Sequence, residues 1–374
     1  MKRVGITGQS GFVGTHLYQT LRLDPEAYEV MEFRDEYFDD AGVLADWVAS
    51  CDAIVHLAAV NRHADPGVIY QTNVDLVTKL IRALEETGST PHVLFSSSSQ
   101  EDLDNPYGQS KLEGRRLLSA WAGKHGARFS GLVIPNVFGP FGHPYYNSVV
   151  ATFCHQLNHG ETPKIMEDRE IHLIYVGELV DRMIDLIGRT GDPGGDRLDI
   201  PHTQSIRVSD ILNLLNGYRE EYGKRGVFPA LKSVFERNLF NTFRCYMDLE
   251  AHFPVLLDLK TDNRGSFVET MRLRLGGQVS FSSTHPGITR GNHFHTRKIE
   301  RFAVIRGKAR IQLRRVGTDR VFDFELDGSK PSYVDMPIWY THNITNLGDE
   351  ELLTLFWINE FFDPNDPDTY FEEV

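Results

Sequence analysis

Hydrophobic periodicity changes once along this 374-residue chain, near residue 245, and that change limits the available folds more than any motif does. Up to residue 135, short apolar runs (RVGI, EVMEF, AIVHLAA, HVLFSS and SGLVI) alternate with longer segments of helical spacing (GFVGTHLYQTLRL, VIYQTNVDLVTKLIRALEE and YGQSKLEGRRLLSAWAGKHG). Strands separated by helices need crossover connections, which predicts parallel βαβ units in a doubly wound sheet. Residues 147–217 add helical patterns in VGELVDRMIDLIG and SDILNLLNGY, with TGDPGGDR between them as loop chemistry. Beyond residue 245 short β-rich runs dominate: QVSFSST, RFAVIRG, KARIQLRRV, RVFDFEL, SYVDM and ELLTLFWIN. Their turn residues recur at the spacing of an all-β sandwich or barrel. The expected boundary lies between Phe243 and Ala251, giving an α/β domain over 1–245 and an all-β domain over 246–374.

The net charge of −13 argues against nucleic acid or an anionic membrane as the main partner, because both repel an acidic surface. Cys51, Cys154 and Cys245 lie far apart and form no CxxC pair, as expected of a reducing cytoplasm. The first strand begins at once with KRVGIT, leaving no room for a signal peptide. No apolar run approaches the roughly 18 to 20 residues that a membrane span needs.

TGQSGFVG sits between the first strand and the first helix and places Gly8, Gly11 and Gly14 at the TGxxGxxG spacing. Glycines there let the backbone approach a pyrophosphate, while the helix N-terminus offers amide donors and a positive dipole end. The expected dinucleotide contacts are Gly8, Ser10, Gly11, Phe12, Val13 and Gly14, joined by Leu57, Ala58 and Ala59 after the third strand. Cofactor choice falls to the end of the second strand, EVMEFRDE, about 20 residues past Gly14. The guanidinium of Arg34 suits a 2′-phosphate and favours NADPH, with Glu32 and Asp35 keeping NAD as the alternative.

NPYGQSK puts Tyr107 and Lys111 one helical turn apart on one face. An ammonium beside a phenol is expected to lower the tyrosine pKa, and the tyrosine can give a proton to a carbonyl oxygen as hydride arrives. FSSSSQ after the fourth strand supplies a hydroxyl to hold that oxygen. With these residues in place the segment resembles the extended short-chain dehydrogenase/reductases. HLAA (His56 to Ala59), Asn73, FSSSS and PNVFGP (Pro135 to Pro140) fall where that family has motifs. The resemblance implies Tyr107 as acid/base, Lys111 as its electrostatic partner and nicotinamide-ribose ligand, and a serine as third member, Ser98 over Ser97 and Ser99.

In the all-β segment, GITRGNHFHTRKIERFAVIRG fits G-x5-H-x-H-x4-E-x6-G from Gly287 to Gly307. Strand alternation puts His293 and His295 on one face, and Glu300 can return beside them after a turn. PIWYTHNITN offers His342 from a paired strand. Three imidazoles and a carboxylate make a Zn²⁺ set, with Fe²⁺, Mn²⁺ and Ni²⁺ as rivals. The two segments resemble the cupin superfamily, whose fold is a double-stranded β-helix. TDNRGSFVE and GITRGNHFH are also similar to the dTDP-4-dehydrorhamnose 3,5-epimerases, in which the RGxH histidine is the base. That role and metal ligation compete for His293, and the added His295 and Glu300 favour ligation. His285, Tyr340 and Lys298 then stand as candidate proton carriers, and Arg264 and Arg290 as diphosphate or sugar contacts.

Over nearly its whole length the sequence resembles the CapF-type capsular polysaccharide synthesis enzymes. NPYGQSKLEG, NSVVATFC, DNRGSF, PGITRGNHFH, YTHNITNLGD and the tail FDPNDPDTYFEEV carry the likeness. It implies a bifunctional, homodimeric enzyme of UDP-N-acetyl-L-fucosamine synthesis. The cupin would epimerise C3 of a UDP-4-keto-2-acetamido-2,6-dideoxyhexose, and the reductase domain would reduce C4 with NADPH to UDP-2-acetamido-2,6-dideoxy-L-talose. The alternatives are a monofunctional reductase whose cupin only binds substrate or joins subunits, and a nucleotide-sensing regulator that would not need Tyr107 and Lys111.

Overall fold

A computed structural model describes residues 1–189, 194–262, 265–268, 270–274 and 276–374. The chain divides into one unit of Met1–Ser148 with Arg169–Arg207, and another of Val149–Asp168 with Val208–Val374. Arg264 lies outside the described residues.

The first unit runs β1 (Lys2–Thr7), α1 (Phe12–Leu21), β2 (Tyr28–Met31), α2 (Ala41–Ser50), β3 (Ala53–His56), α3 (Pro66–Thr87), β4 (His92–Ser98), α4 (Pro106–His125), β5 (Phe129–Ile134) and β6 (Asn136–Phe138). After α5 (Val149–Asn158), which belongs to the second unit, it resumes with β7 (Glu170–Tyr175), α6 (Val176–Gly188), β8 (Gly194–Asp199) and β9 (Gln204–Arg207). Six strands pair in parallel in the order β2-β1-β3-β4-β5-β8. This is the doubly wound sheet expected from the alternating pattern. β3 and β5 are buried along their whole length, as strands covered on both faces must be. One face packs Trp47, Leu80, Phe95, Leu118 and Trp121, and the other Val4, Leu17, Leu132, Leu179 and Met183.

Local signals start the helices. Asp65 caps α3 by accepting from Gly67 N–H at 2.9 Å, and Asn105 caps α4 by accepting from Gly108 N–H at 2.8 Å, each followed by proline in the first turn. Among the elements that the sequence patterns did not mark are α2 and β8. α2 carries its own cap in Asp40, which accepts from Gly42 and Val43 N–H. GGDR of the expected loop, continued by Leu198 and Asp199, forms the edge strand β8, because pairing with β5 satisfies a backbone whose composition alone reads as a turn.

The second unit holds α5, α7 (Val208–Tyr218), β10 (Val227–Phe228), α8 (Val234–Arg244), α9 (Leu249–His252), β11 (Val255–Leu256), β12 (Leu259–Asp262), β13 (Gly265–Val268) and β14 (Arg272–Leu273). The barrel strands follow: β15 (Gln278–Thr284), β16 (Thr289–Phe294), β17 (Glu300–Arg306), β18 (Lys308–Arg315), β19 (Val321–Asp327), β20 (Ser332–Met336), β21 (Tyr340–Asn346), β22 (Leu352–Ile358) and β23 (Tyr370–Phe371). Two five-stranded antiparallel sheets, β11-β20-β17-β22-β15 and β19-β18-β21-β16-β23, make the cupin-type double-stranded β-helix.

The helices before residue 245 join this unit through buried charge. Arg301 on β17 grips Asp335 on β20 at 2.7 and 2.9 Å, and Tyr222 donates to the same carboxylate at 2.6 Å. Arg244 at the end of α8 donates to Tyr222 Oη and to the Met336 carbonyl. The change of periodicity near residue 245 thus falls inside the second unit. The pattern registers local backbone period, whereas the contacts of α5, α7 and α8 are long-range. Among the described residues no helix is long and apolar enough to cross a membrane.

Candidate active sites

In the first unit the backbone turns at Gly8, whose φ of +67° lies in the left-handed region. A Cβ on Gly14 would stand 2.2 Å from the Gly8 carbonyl oxygen, so only glycine lets α1 close onto this turn. No side chain caps α1, which leaves its first amides to an outside acceptor. A cavity of about 720 Å³ opens here, with Gly8, Gly11, Phe12, Val13, Gly14, Leu57 and Ala59 in its lining together with Ser96, Ser97, Ser98, Tyr107 and Lys111. A cradle that a Cβ would fill, uncapped amides and this volume fit a dinucleotide. Ser10 and Ala58 do not line the cavity; Ser10 is exposed, and Ala58 N–H donates to Thr7 Oγ1. Arg34 follows β2 at the same sheet edge, where its exposed guanidinium pairs with Glu32 at 2.7 Å.

The serines after β4 separate by their partners. Ser96 donates to the His56 carbonyl and accepts from Lys111 Nζ at 3.4 Å. Ser97 is buried and donates to Glu101 at 2.5 Å. Ser99 is exposed, and Ser98, half-buried on the cavity, accepts from Gln100 N–H. Glu101 itself is buried and holds Arg115 through two bonds of 3.0 Å, with Arg197 at 2.8 Å. This network sets the turn that presents Ser98; nothing in its sequence spacing announced it. Gly108 completes the fit, since a Cβ there would meet the Gln100 carbonyl oxygen at 2.0 Å. Asn73 ties the loop after β3 to α4, bonding Val60 in both directions and Ser110 Oγ.

Tyr107 faces the cavity, and Lys111 Nζ lies 5.8 Å from its ring centroid and 5.1 Å from that of Phe95. Burial, with Tyr146 adding a little, pushes the Tyr107 hydroxyl up to about 12, opposite to the lowering expected from the lysine. Lys111 is 3% exposed, and desolvation takes its ammonium down to about 7. The tyrosine is therefore protonated across the neutral range, the state that a proton donor needs. Unfolding restores Lys111 to 10.5, so the folding penalty is full below about pH 7 and is relieved as pH rises toward 10.5. Lys111→Met is expected to raise the stability of the cofactor-free protein at pH 6 by on the order of 5 kcal/mol, with the gain shrinking toward pH 10. Denaturant unfolding at the two pH values checks this; a gain independent of pH would refute it.

In the second unit β16 and β21 carry the histidines. Their register breaks between Gly291 and His293, and Asn292, at φ +59°, bulges out so that His293 pairs with His342. Glu300 opens β17, paired with Met336 on β20 and Ile358 on β22. The ligand atoms of His293, His295, Glu300 and His342 all lie within 4.8 Å of one another. His295 Nε2 and His342 Nε2 each stand 3.1 Å from Glu300 Oε2. The other ring nitrogens face carbonyls, Nδ1 of His295 that of Asp368 and Nδ1 of His342 that of Tyr340. A carbonyl only accepts, so each Nδ1 carries hydrogen and each Nε2 turns a lone pair inward. Three buried atoms without a hydrogen-bond partner, His295 Nε2, His342 Nε2 and Glu300 Oε2, thus converge on one point. Like electron pairs converge stably only around a positive centre, and this donor set fits a divalent cation. Burial lowers His293 to about 4, which keeps it neutral and fit to ligate.

The candidate proton carriers scatter. His285 is exposed near Glu351, Lys298 Nζ donates to the Pro367 carbonyl at 2.6 Å, and Tyr340, on the same face of β21 as His342, is pushed up to about 12 by burial. Arg290 is exposed and donates to the Ser283 carbonyl.

The first unit's fold and cavity define a Rossmann-type oxidoreductase, and it is followed by a barrel with a metal-type cluster. The family model for the NAD dependent epimerase/dehydratase family matches residues 4–197, and that for the polysaccharide biosynthesis C-terminal domain matches 260–370. UDP-2-acetamido-2,6-beta-L-arabino-hexul-4-ose reductase of Pseudomonas aeruginosa is 33% identical over 98% of both chains. The crystal structure of the capsular polysaccharide assembling protein CapF from Staphylococcus aureus covers 100% of both chains at 34% identity and a TM-score of 0.60. RMD from Pseudomonas aeruginosa, solved with NADPH, shares the fold over 59% of this chain and 83% of its own, at 23% identity and a TM-score of 0.51. The chain belongs to the NAD(P)H-binding NAD dependent epimerase/dehydratase family and, along its whole length, to the CapF-type capsular polysaccharide enzymes.

Proposed function

We propose that this chain is a bifunctional sugar-nucleotide enzyme. The segment 246–374 epimerises C3 of a UDP-4-keto-2-acetamido-2,6-dideoxyhexose. The segment 1–245 then reduces C4 to UDP-2-acetamido-2,6-dideoxy-L-talose, on the way to UDP-N-acetyl-L-fucosamine and capsule. One observation carries the reading: a Tyr/Lys pair on a dinucleotide cradle and a complete three-imidazole, one-carboxylate cluster occur in one chain. Its relation over 98% of its length to a reductase named for a UDP-linked hexul-4-ose supplies the substrate class. A ketone at C4 unites the two chemistries. It acidifies the C3 hydrogen, and it accepts hydride afterwards, so epimerisation precedes reduction.

NADPH supplies the hydride. The backbone amides opening α1 would receive its pyrophosphate, and Arg34, now paired with Glu32, would hold the 2′-phosphate. Tyr107 gives its hydroxyl proton to the C4 oxygen, Ser98 holds that oxygen, and Lys111 holds the nicotinamide ribose. A divalent metal, zinc in this reading, would supply positive charge that polarises the sugar oxygen. His293, His295, Glu300 and His342 hold it. The active form is a cytoplasmic homodimer; the edge strand β15, with Val279 57% and Phe281 74% exposed, supports pairing. Neither nucleic acid nor membrane is a partner.

The test supplies the UDP-4-keto sugar in deuterated water without NADPH. Deuterium is expected at C3 only. Adding NADPH should then consume cofactor, with NADH much the poorer donor. Absence of exchange in metal-replete protein overturns the epimerase half, and absence of NADPH consumption the reductase half.

A further inference from the structure

The end of the chain is wound around the loop that joins His295 to Glu300. Asp368, 2% exposed, gathers that loop with its carboxylate. Oδ1 accepts from Thr296 N–H at 3.0 Å and from Thr296 Oγ1 at 2.7 Å. Oδ2 accepts from Arg297 N–H at 3.0 Å and Lys298 N–H at 2.9 Å. The Asp368 carbonyl takes His295 Nδ1–H and so directs Nε2 of that ring at Glu300. On one side Asp366 clamps the Arg297 guanidinium at 3.0 and 2.8 Å. On the other, β23 pairs with His293 and Phe294, and Glu372 N–H donates to the Asn292 carbonyl at 3.0 Å. The tail therefore touches the backbone from Asn292 to Phe294, the ring of His295, and the backbone of Thr296, Arg297 and Lys298 in the turn leading to Glu300.

We propose that the tail from Asp366 to Glu372 is a clasp for the bound metal, with Asp368 as its positioning residue. This rests on the metal-binding reading of His293, His295, Glu300 and His342. A metal holds only ligands that converge, and convergence here needs His295 in one tautomer and a turn of defined shape. Asp368 provides both, one through its carbonyl and the other through its carboxylate. Without the carboxylate, the buried Lys298 N–H and its neighbours lose their acceptor, and the turn relaxes to find another. Coupling of this kind is reciprocal: if the docked tail tightens the metal, the metal tightens the docked tail by the same factor.

Two measurements on the full-length protein test it. Zinc affinity is read by competition with a chelating dye for the wild type, Asp368→Asn, Asp368→Ala and the exposed tail control Asp363→Asn. Asparagine tolerates the positive φ of 39° at residue 368, so Asp368→Asn removes the charge and one of the two acceptor oxygens with little backbone strain. Loss of an outer partner of a metal ligand weakens metal binding about 10- to 100-fold, which is the expected result for both Asp368 variants, with Asp363→Asn unchanged. Unaltered affinity in the Asp368 variants overturns the clasp. In the second measurement, chymotrypsin cleavage at Tyr370 and Phe371 is followed by mass spectrometry on wild-type protein before and after metal stripping. Metal should slow the cut about tenfold or more, and equal rates overturn the proposal. This arm needs no variant, so it decides the matter if Asp368→Ala fails to fold. A wild-type chain that takes up no zinc removes the metal reading itself and the clasp with it, whereas zinc uptake with unchanged variants and equal cleavage removes the clasp alone.

Discussion

Tyr107→Phe is expected to lower the rate of NADPH oxidation about 10²- to 10⁴-fold, the usual contribution of a positioned acid, while solvent deuterium still enters C3 at the wild-type rate. The change deletes one oxygen and keeps the ring beside Lys111 on the cavity wall, so the fold and the dinucleotide cradle persist. Cofactor binding, measured by fluorescence titration, should change little, because the glycine turn and the α1 amides lie elsewhere on the cavity wall. The hydroxyl is protonated to about 12, so its removal takes away a proton donor and not a charge. Separation of the two activities is the decisive feature. A variant that still oxidises NADPH at the wild-type rate would refute the assignment of Tyr107. One that loses exchange as well would mean that the two activities are not independent.

His293→Ala should produce the opposite pattern. Deleting one of the four proposed ligands would leave the inward-facing lone pairs of His295 and His342 and the Glu300 carboxylate with an incomplete shell. Bound metal by elemental analysis is expected to fall below one equivalent, and C3 exchange to slow on the order of 10³-fold, the equivalent of several kcal/mol of lost charge stabilisation. Reduction of substrate already epimerised at C3 should proceed normally. Retention of both metal and exchange would refute ligation by His293. Retention of metal with loss of exchange would instead favour His293 as the base, the role that the RGxH resemblance suggests.

Much of the architecture was legible because it follows from local period. RVGI, AIVHLAA and SGLVI lie where β1, β3 and β5 form, and SYVDM coincides with β20. Glycine spacing in TGQSGFVG and helical spacing in YGQSK are likewise local, so Gly8, Gly14, Tyr107 and Lys111 could be named before any fold was known. What the sequence patterns did not show has a shared reason. β8 reads as a loop until β5 pairs with it. α7 and α8 read as part of the α/β segment until Arg301, Asp335, Tyr222 and Arg244 join them to the barrel unit. The tail was visible only as a family likeness, and its closure over Thr296–Lys298 spans some seventy residues of chain. The direction of the Tyr107 shift was also missed, because desolvation belongs to the packed surroundings and not to the spacing of the pair.

Residue type and spacing settled which chemistries this chain could hold: a nucleotide cradle, a phenol beside an ammonium, and a cluster of imidazoles with a carboxylate. Those are properties of neighbours within a few positions, which a strand or helix of known period brings together without help. The folded chain alone decided the different partners of Ser96, Ser97 and Ser98 at the cavity, which nitrogen of His295 and of His342 faces Glu300, and that Asp368 stands behind the metal-type site. Each of these depends on hydrogen bonds between residues far apart in sequence, and such bonds exist only once the long-range packing has formed.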